Sequence, residues 1–114
     1  MVPMNTANQL PDQCLTALDA YLRPELFKAL CDPMRLTIVA FLAVQKQPTT
    51  VGELSDQCAI DFSGVSRHLK ILKEAEVVAA QKTGREVRYE LNCENLTLVL
   101  RGLADALEAC AASS

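Results

Sequence analysis

Residues 50–74, TVGELSDQCAIDFSGVSRHLKILKE, constrain this chain more than any other stretch. Thr50 is placed as an N-cap with Glu53 three residues later, the spacing of a capping box. Val51, Leu54 and Cys58 then fall on one helical stripe. Ala59 and Ile60 form a tight turn. Asp61 is placed to cap a second helix by accepting bonds from its first free N–H groups. On that helix Phe62, Val65, Leu69 and Leu72 share an apolar stripe, while Ser63, Ser66, Arg67, Lys70 and Lys73 lie opposite. The pattern predicts a helix-turn-helix whose second helix buries one face and offers hydroxyls and cations on the other. Such a face suits a DNA major groove, where cations meet phosphates and side chains reach base edges. An ordinary amphipathic helix with a solvated basic face carries the same pattern.

The flanking chain supports the DNA reading. After Lys73 the hydrophobic period changes. Glu76 to Ala80 reads as a strand, Lys82-Thr83-Gly84-Arg85 as a turn with Gly84 free to take positive φ, and Glu86 to Leu91 as an alternating second strand. The result is a hairpin with a basic tip, placed as a wing beside the helix pair. Net charge is −3, unexpected for a polyanion binder, but its distribution is uneven. From Ser63 to Arg88 six cations face three anions, a balance of +3; the remainder holds five cations and eleven anions, −6. A basic segment on an acidic body is an electrostatic footprint for nucleic acid.

Upstream, residues 1–10 lack periodicity and are expected to be a flexible tail. Asp12 to Leu22 predicts a helix with Leu15, Leu18 and Leu22 on one face, and Glu25 to Leu30 a short one. Asp32-Pro33 starts a helix through Val44 with Leu36, Val39, Ala40 and Ala43 inward. Gln45 to Thr49 is expected to be a loop. Downstream, Asn92 caps a last helix reaching about Ala111, on which Leu96, Leu100, Leu103, Leu107 and Cys110 recur at spacings of 4, 3, 4 and 3. That seam suits another helix. The first and last helices are therefore the expected dimer interface, with coverage of their own domain as the alternative. The expected fold is mainly α with a β-hairpin wing (α+β), one winged helix-turn-helix domain over residues 11–111.

The 114 residues suit one domain, and 50% apolar content is enough for a core. The longest apolar run, Ile38 to Val44, is far below the roughly 20 residues that span a bilayer. With no basic flank before an apolar stretch at the N-terminus, the chain is expected to be cytoplasmic, without a membrane partner. Five cysteines, odd in number and widely spaced, argue for reduced thiols, and no CxxC pair supports a structural zinc site. No nucleophile–base constellation, phosphate-binding glycine loop or paired carboxylate points to an enzyme.

Three segments, LFKALCDPMRLTIVAFL, TVGELSDQCAIDFSGVSRHLKILKEAEVV and GREVRYEL, resemble the ArsR/SmtB family of metal- and thiol-responsive repressors over roughly residues 25–91. The motifs that carry it are Asp32-Pro33-x-Arg35-Leu36, Val65-Ser66-Arg67-His68-Leu69-Lys70 and the Gly84-Arg85 wing. The resemblance implies a homodimeric winged helix that binds a double-stranded, inverted-repeat operator and is released by a ligand. Its expected DNA-binding residues are Ser63, Gly64, Ser66, Arg67, His68, Lys70, Lys73, Lys82 and Arg85. The chain departs from the family pattern at Glu76, where glycine is usual, and at Cys31, where a small residue is usual.

The sensor positions are less regular. Thr50 and Gly52 stand where thiol-type members carry a Cys-x-Cys pair. Asn92, Glu94, Asp105 and Glu108 stand where zinc-type members carry Asp and His ligands, and no histidine is among them. Soft thiolates suit trivalent arsenic or antimony, Cu(I), Cd(II) or Hg(II). The candidate ligands are Cys58, Cys110 and Cys14, with buried packing as the alternative for each. The expected function is a repressor released by a thiophilic inducer such as As(III), Sb(III) or another soft metal ion. Two rivals stand beside it: a metal-free repressor sensing oxidants or sulfur species through a Cys pair, and a winged helix used for protein contact.

Overall fold

The structure, a computed structural model, describes residues 12–112, with side chains from Cys14 onward; the tail expected over residues 1–10 lies outside them. In order the elements are α1 (Asp12–Tyr21), α2 (Pro24–Ala29), α3 (Pro33–Val44), β1 (Thr49–Thr50), α4 (Val51–Cys58), α5 (Phe62–Glu74), β2 (Val78–Thr83), β3 (Glu86–Leu91) and α6 (Cys93–Ala112). They form two compact units, one of residues Glu25–Cys93 and one containing α1 and nearly all of α6. Among the described residues no helix is long and apolar enough to cross a membrane.

Within Glu25–Cys93 the helix starts follow local chemistry. The Asp32 carboxylate accepts from the backbone N–H groups of Met34 (2.8 Å) and Arg35 (3.2 Å), with Pro33 at the first helical position. Arg35 donates from Nε to the Ala29 carbonyl at 2.7 Å and from Nη2 to the Lys28 carbonyl at 3.3 Å. One guanidinium thus closes the end of α2 over the start of α3. Thr50 and Glu53 complete the expected capping box. The inward face of α3 differs from expectation. Ile38 and Leu42 are buried, whereas Leu36 is 49% exposed and Ala40 and Ala43 are exposed too. The sequence PMRLTIVAFLAV is apolar nearly all round, so periodicity alone does not phase the helix.

The α4–α5 turn passes through Ala59, held left-handed at φ 56°. On α5, Val65, Leu69 and Leu72 are completely buried, as expected, but Phe62 is 61% exposed. It is the first residue of the helix, where the chain is still leaving the turn, so the stripe begins at Val65. The end of α5 closes by a Schellman motif: Val77 N–H donates to the Leu72 carbonyl (2.9 Å) and Glu76 N–H to the Lys73 carbonyl (3.0 Å). Glu76 occupies the left-handed position of that motif at φ 61°. The usual glycine is replaced while the turn itself is kept.

The sheet has three strands in the order β1-β3-β2, all antiparallel. The expected hairpin is present with its strand shifted: β2 runs Val78–Thr83, so Lys82 and Thr83 belong to the strand. Thr83 pairs with Glu86 across the two residues Gly84-Arg85, and Gly84 takes φ 64°. The third strand corrects the expected loop at residues 45–49. Thr49 pairs with Tyr89 and Thr50 with Arg88, a pairing too short to carry any sequence period.

In the second unit, α1 ends at Tyr21, one residue before the expected limit. A Cβ placed on Gly102 would meet the Tyr21 ring at 2.2–2.6 Å, so glycine lets α1 and α6 approach closely. Arg23 Nη1 donates to Asn95 Oδ1 at 3.5 Å. On α6 the buried residues are Leu96, Val99 and Ala106, while Leu100 (45%) and Leu107 (52%) are exposed. The expected seam therefore splits: Leu96 belongs to the buried face, and Leu100 and Leu107 flank it.

Candidate functional site

The polar face of α5 is built by its own buried stripe. With Val65, Leu69 and Leu72 inside, helical geometry turns Ser63, Ser66, Arg67, Lys70 and Lys73 outward, and all five are exposed. Gly64 is buried, and a Cβ there would stand 2.7 Å from Asp61 Oδ1 and 3.0 Å from Ile60 Cγ2. This position packs the turn against the helix. Asp61 stands at the N-cap, but its carboxylate accepts from the Ser63 hydroxyl at 2.6 Å, and the expected bonds to free backbone N–H groups do not form. That hydroxyl bond first, then the nearby Gly64 backbone N–H, too poorly placed for a cap bond, and the Arg67 charge hold the Asp61 carboxyl below its ordinary range. A carboxylate there satisfies Ser63 while leaving the Ser66 and Arg67 face open.

His68 faces inward from that surface. It is half-buried, with Nδ1 3.5 Å from Arg35 Nη1. α5 is thereby linked to the same guanidinium that ties α2 to α3. The hairpin supplies the second basic element, with Lys82 and Arg85 exposed around its turn. Between α4, α5 and the hairpin lies a groove of about 420 Å³ lined by Thr50, Gly52, Phe62, Ser66, Arg85 and Tyr89 among others. Phe62 is the functional candidate that stripe reasoning missed, since it placed this ring in the core. An aromatic residue directly after the capping position is the signal that could have found it.

Arg88 counts among the cations of the basic segment but does not face outward freely. Nε donates to Glu86 Oε1 at 2.9 Å, and Nη1 donates to the Pro48 carbonyl at 3.2 Å and lies 3.5 Å from Glu53 Oε1. It ties β3 to β1 and to the capping box of α4. The Thr50 backbone N–H and hydroxyl, with Arg88 beyond them, keep the Glu53 carboxyl below its usual range. The exposed cations of the surface are therefore Arg67, Lys70, Lys73, Lys82 and Arg85.

Of the thiols, Cys14 and Cys110 are brought together. Both are half-buried, and they are in hydrogen-bond contact. That contact, with burial and the neighbouring thiol's charge behind it, pushes the Cys110 thiol up. Cys58 ends α4 immediately before the left-handed Ala59, and burial pushes its thiol up as well. Cys31 and Cys93 are exposed. Among the described residues no three His, Cys, Asp or Glu side chains converge, so Glu94, Asp105 and Glu108 do not assemble a ligand set within one chain.

Residues 30–80 match a helix-turn-helix domain family. The chain is 42% identical over 85 residues to the HTH-type transcriptional repressor SmtB of Mycobacterium tuberculosis, a match covering 74% of this chain and 62% of that protein. It is 36% identical over 74 residues to the arsenical resistance operon repressor of Bacillus subtilis, covering 65% and 70% of the two chains. In fold it is similar to an ArsR-like transcriptional regulator from Rhodococcus, with a TM-score of 0.64 at 24% identity over 82% of this chain and 81% of that one.

Proposed function

Because this chain belongs to the ArsR/SmtB family of winged helix-turn-helix repressors, we propose that it represses transcription by binding an inverted-repeat operator as a homodimer and is released by a thiophilic inducer, trivalent arsenic or antimony first. The observation that carries the DNA reading is the two-sided α5: three completely buried aliphatic residues on one side, and exposed hydroxyls and cations on the other. Arg67 and Ser66 serve the groove, and Lys70, Lys73, Lys82 and Arg85 serve the phosphates. Exposed Leu100 and Leu107 on α6 support a second subunit as their cover. For the inducer, the support is chemical. Thiolates are the soft donors this chain offers, and a Bacillus subtilis relative is named an arsenical resistance repressor. Ligation at Cys58 would act on the turn that leads into α5, and Cys110 and Cys14 supply two further thiols. A hundredfold loss of operator affinity needs about 2.7 kcal/mol of coupling, inside the ordinary allosteric range.

Fluorescence anisotropy with the protein's own promoter tests both halves. If each subunit neutralises about 4 phosphates, and a dimer about 8, log K falls against log salt with a slope of about −7. Arg67→Ala weakens binding by roughly tenfold, the worth of a good base or phosphate contact, without changing the thermal midpoint. Arsenite lowers affinity in the wild type, and Cys58→Ser and Cys110→Ser keep DNA binding and lose that response. A slope near zero, or wild-type affinity in Arg67→Ala, refutes operator binding through this face. An arsenite response unchanged in both serine variants moves the inducer away from these thiols.

A further inference from the structure

Three contacts register α1 against α6. Cys14 meets Cys110, Tyr21 lies on Gly102, and Arg23 bonds Asn95. As residue numbers rise along α1 they fall along α6, so the two helices run antiparallel. Gly102 lets the Tyr21 ring sit within van der Waals range of the α6 backbone, which fixes the spacing at one end of α1. At the other end, the first turn of α1 and the last turn of α6 present one thiol each, side by side. Two half-buried thiols at the closing point of a helix pair pack as small apolar groups do, and side by side they also carry the reactivity of a dithiol.

We propose that Cys14 and Cys110 form an oxidisable dithiol, which a two-electron oxidant of the hydroperoxide class converts into a disulfide clamping α1 to α6 within one chain. The step balances with the oxidant alone. One thiol of the pair, taken as Cys14, loses its proton and attacks the peroxide. Its thiolate displaces hydroxide from the peroxide; the O–O bond breaks and a sulfenic acid forms. The Cys110 sulfur then attacks that sulfur, the S–O bond breaks, and water leaves as the S–S bond forms. Both thiol protons end in the two waters, and the peroxide takes the two electrons that the sulfurs lose. Little motion is needed, since the antiparallel register already makes the two thiols neighbours. The pairing does not rest on the operator reading, and it competes with arsenic ligation at Cys14 and Cys110, because a sulfur held in a disulfide is no longer a thiolate donor; the thiol count and peptide map are read without arsenic or DNA, so they test the pairing alone.

Titrating full-length protein with hydrogen peroxide and counting thiols under denaturing conditions tests the proposal. The count falls from five to three per chain, returns to five with dithiothreitol, and peptide mapping joins the Cys14 peptide to the Cys110 peptide. Oxidised wild type melts several degrees above the reduced form, because a cross-link between distant residues restricts the unfolded chain. Cys14→Ser and Cys110→Ser each lose both the linked peptide and the shift in melting. Retention of five thiols after peroxide overturns the proposal. So does a disulfide that joins other cysteines, or one that links two chains on a non-reducing gel. The peptide map is read on wild type, so the conclusion stands even if a serine variant folds poorly.

Discussion

Two helices of this protein are amphipathic and end differently. On α5 the central apolar stripe is spent inside its own chain, with Val65, Leu69 and Leu72 completely buried, and only Phe62 at the first turn and Ile71 near the end stand exposed. Most of what remains outside is hydroxyl and cation: Ser63, Ser66, Arg67, Lys70 and Lys73. On α6 burial takes Leu96, Val99 and Ala106, yet Leu98, Leu100 and Leu107 stay exposed on a helix of 20 residues. The first helix buries its stripe without a protein partner, and its open face, rich in hydroxyls and cations, has the chemistry of a polyanion reader. The second is incomplete, and its open face has the chemistry of a protein surface. Amphipathicity therefore says little about function until it is known which part of the apolar surface the chain covers for itself.

The largest expected effect separates the two helices by what their leucines hold together. Leu69→Ala removes a fully buried side chain and destabilises the fold by about 2–5 kcal/mol in denaturant titrations. Loss below about 1 kcal/mol would show that the α5 stripe is less committed than its burial implies. The matching change on α6, Leu100→Asp with Leu107→Asp, leaves the fold intact because both positions are exposed in one chain. It places carboxylates in the proposed dimer interface, and sedimentation is expected to show dimer association weakened by at least about a hundredfold, roughly 2.7 kcal/mol. A wild-type monomer at micromolar concentration would end the comparison as drawn. The smallest effect lies at the end of α5. Glu76→Gly relieves a left-handed non-glycine residue and is expected to stabilise the protein by about 0.5–1 kcal/mol, the left-handed penalty less the entropy of an added glycine. Unchanged or lowered stability would mean that Glu76 side-chain interactions outweigh the backbone strain.

Much of the fold was legible because it is decided by neighbours in sequence. Asp32-Pro33, Thr50 with Glu53, and Gly84 between two alternating runs each act within a few residues, and each does in the structure what local chemistry requires. The α5 stripe was legible from Val65 onward because its polar and apolar faces are distinct. The outward direction of Ser66, Arg67 and Lys70 follows from that stripe alone.

Other features belong to tertiary structure, for reasons that are equally physical. A helix apolar on all sides contains no phase, so only packing selected Ile38 and Leu42 over Leu36 for burial in α3. A two-residue strand has no period, so β1 exists only because β3 is beside it. Charge counting includes Arg88 among the basic residues, but its partners Glu86, Glu53 and the Pro48 carbonyl are assembled by the sheet. Cysteines at opposite ends of the chain carry no mutual signal, and the antiparallel register of α1 and α6 is what makes Cys14 and Cys110 neighbours. Sequence alone determined where helices start, where the hairpin turns and which side of α5 is basic, since those depend on short-range bonds and side-chain period. Tertiary packing decided which apolar faces remain open and which distant side chains meet, since those depend on surfaces that no single segment contains.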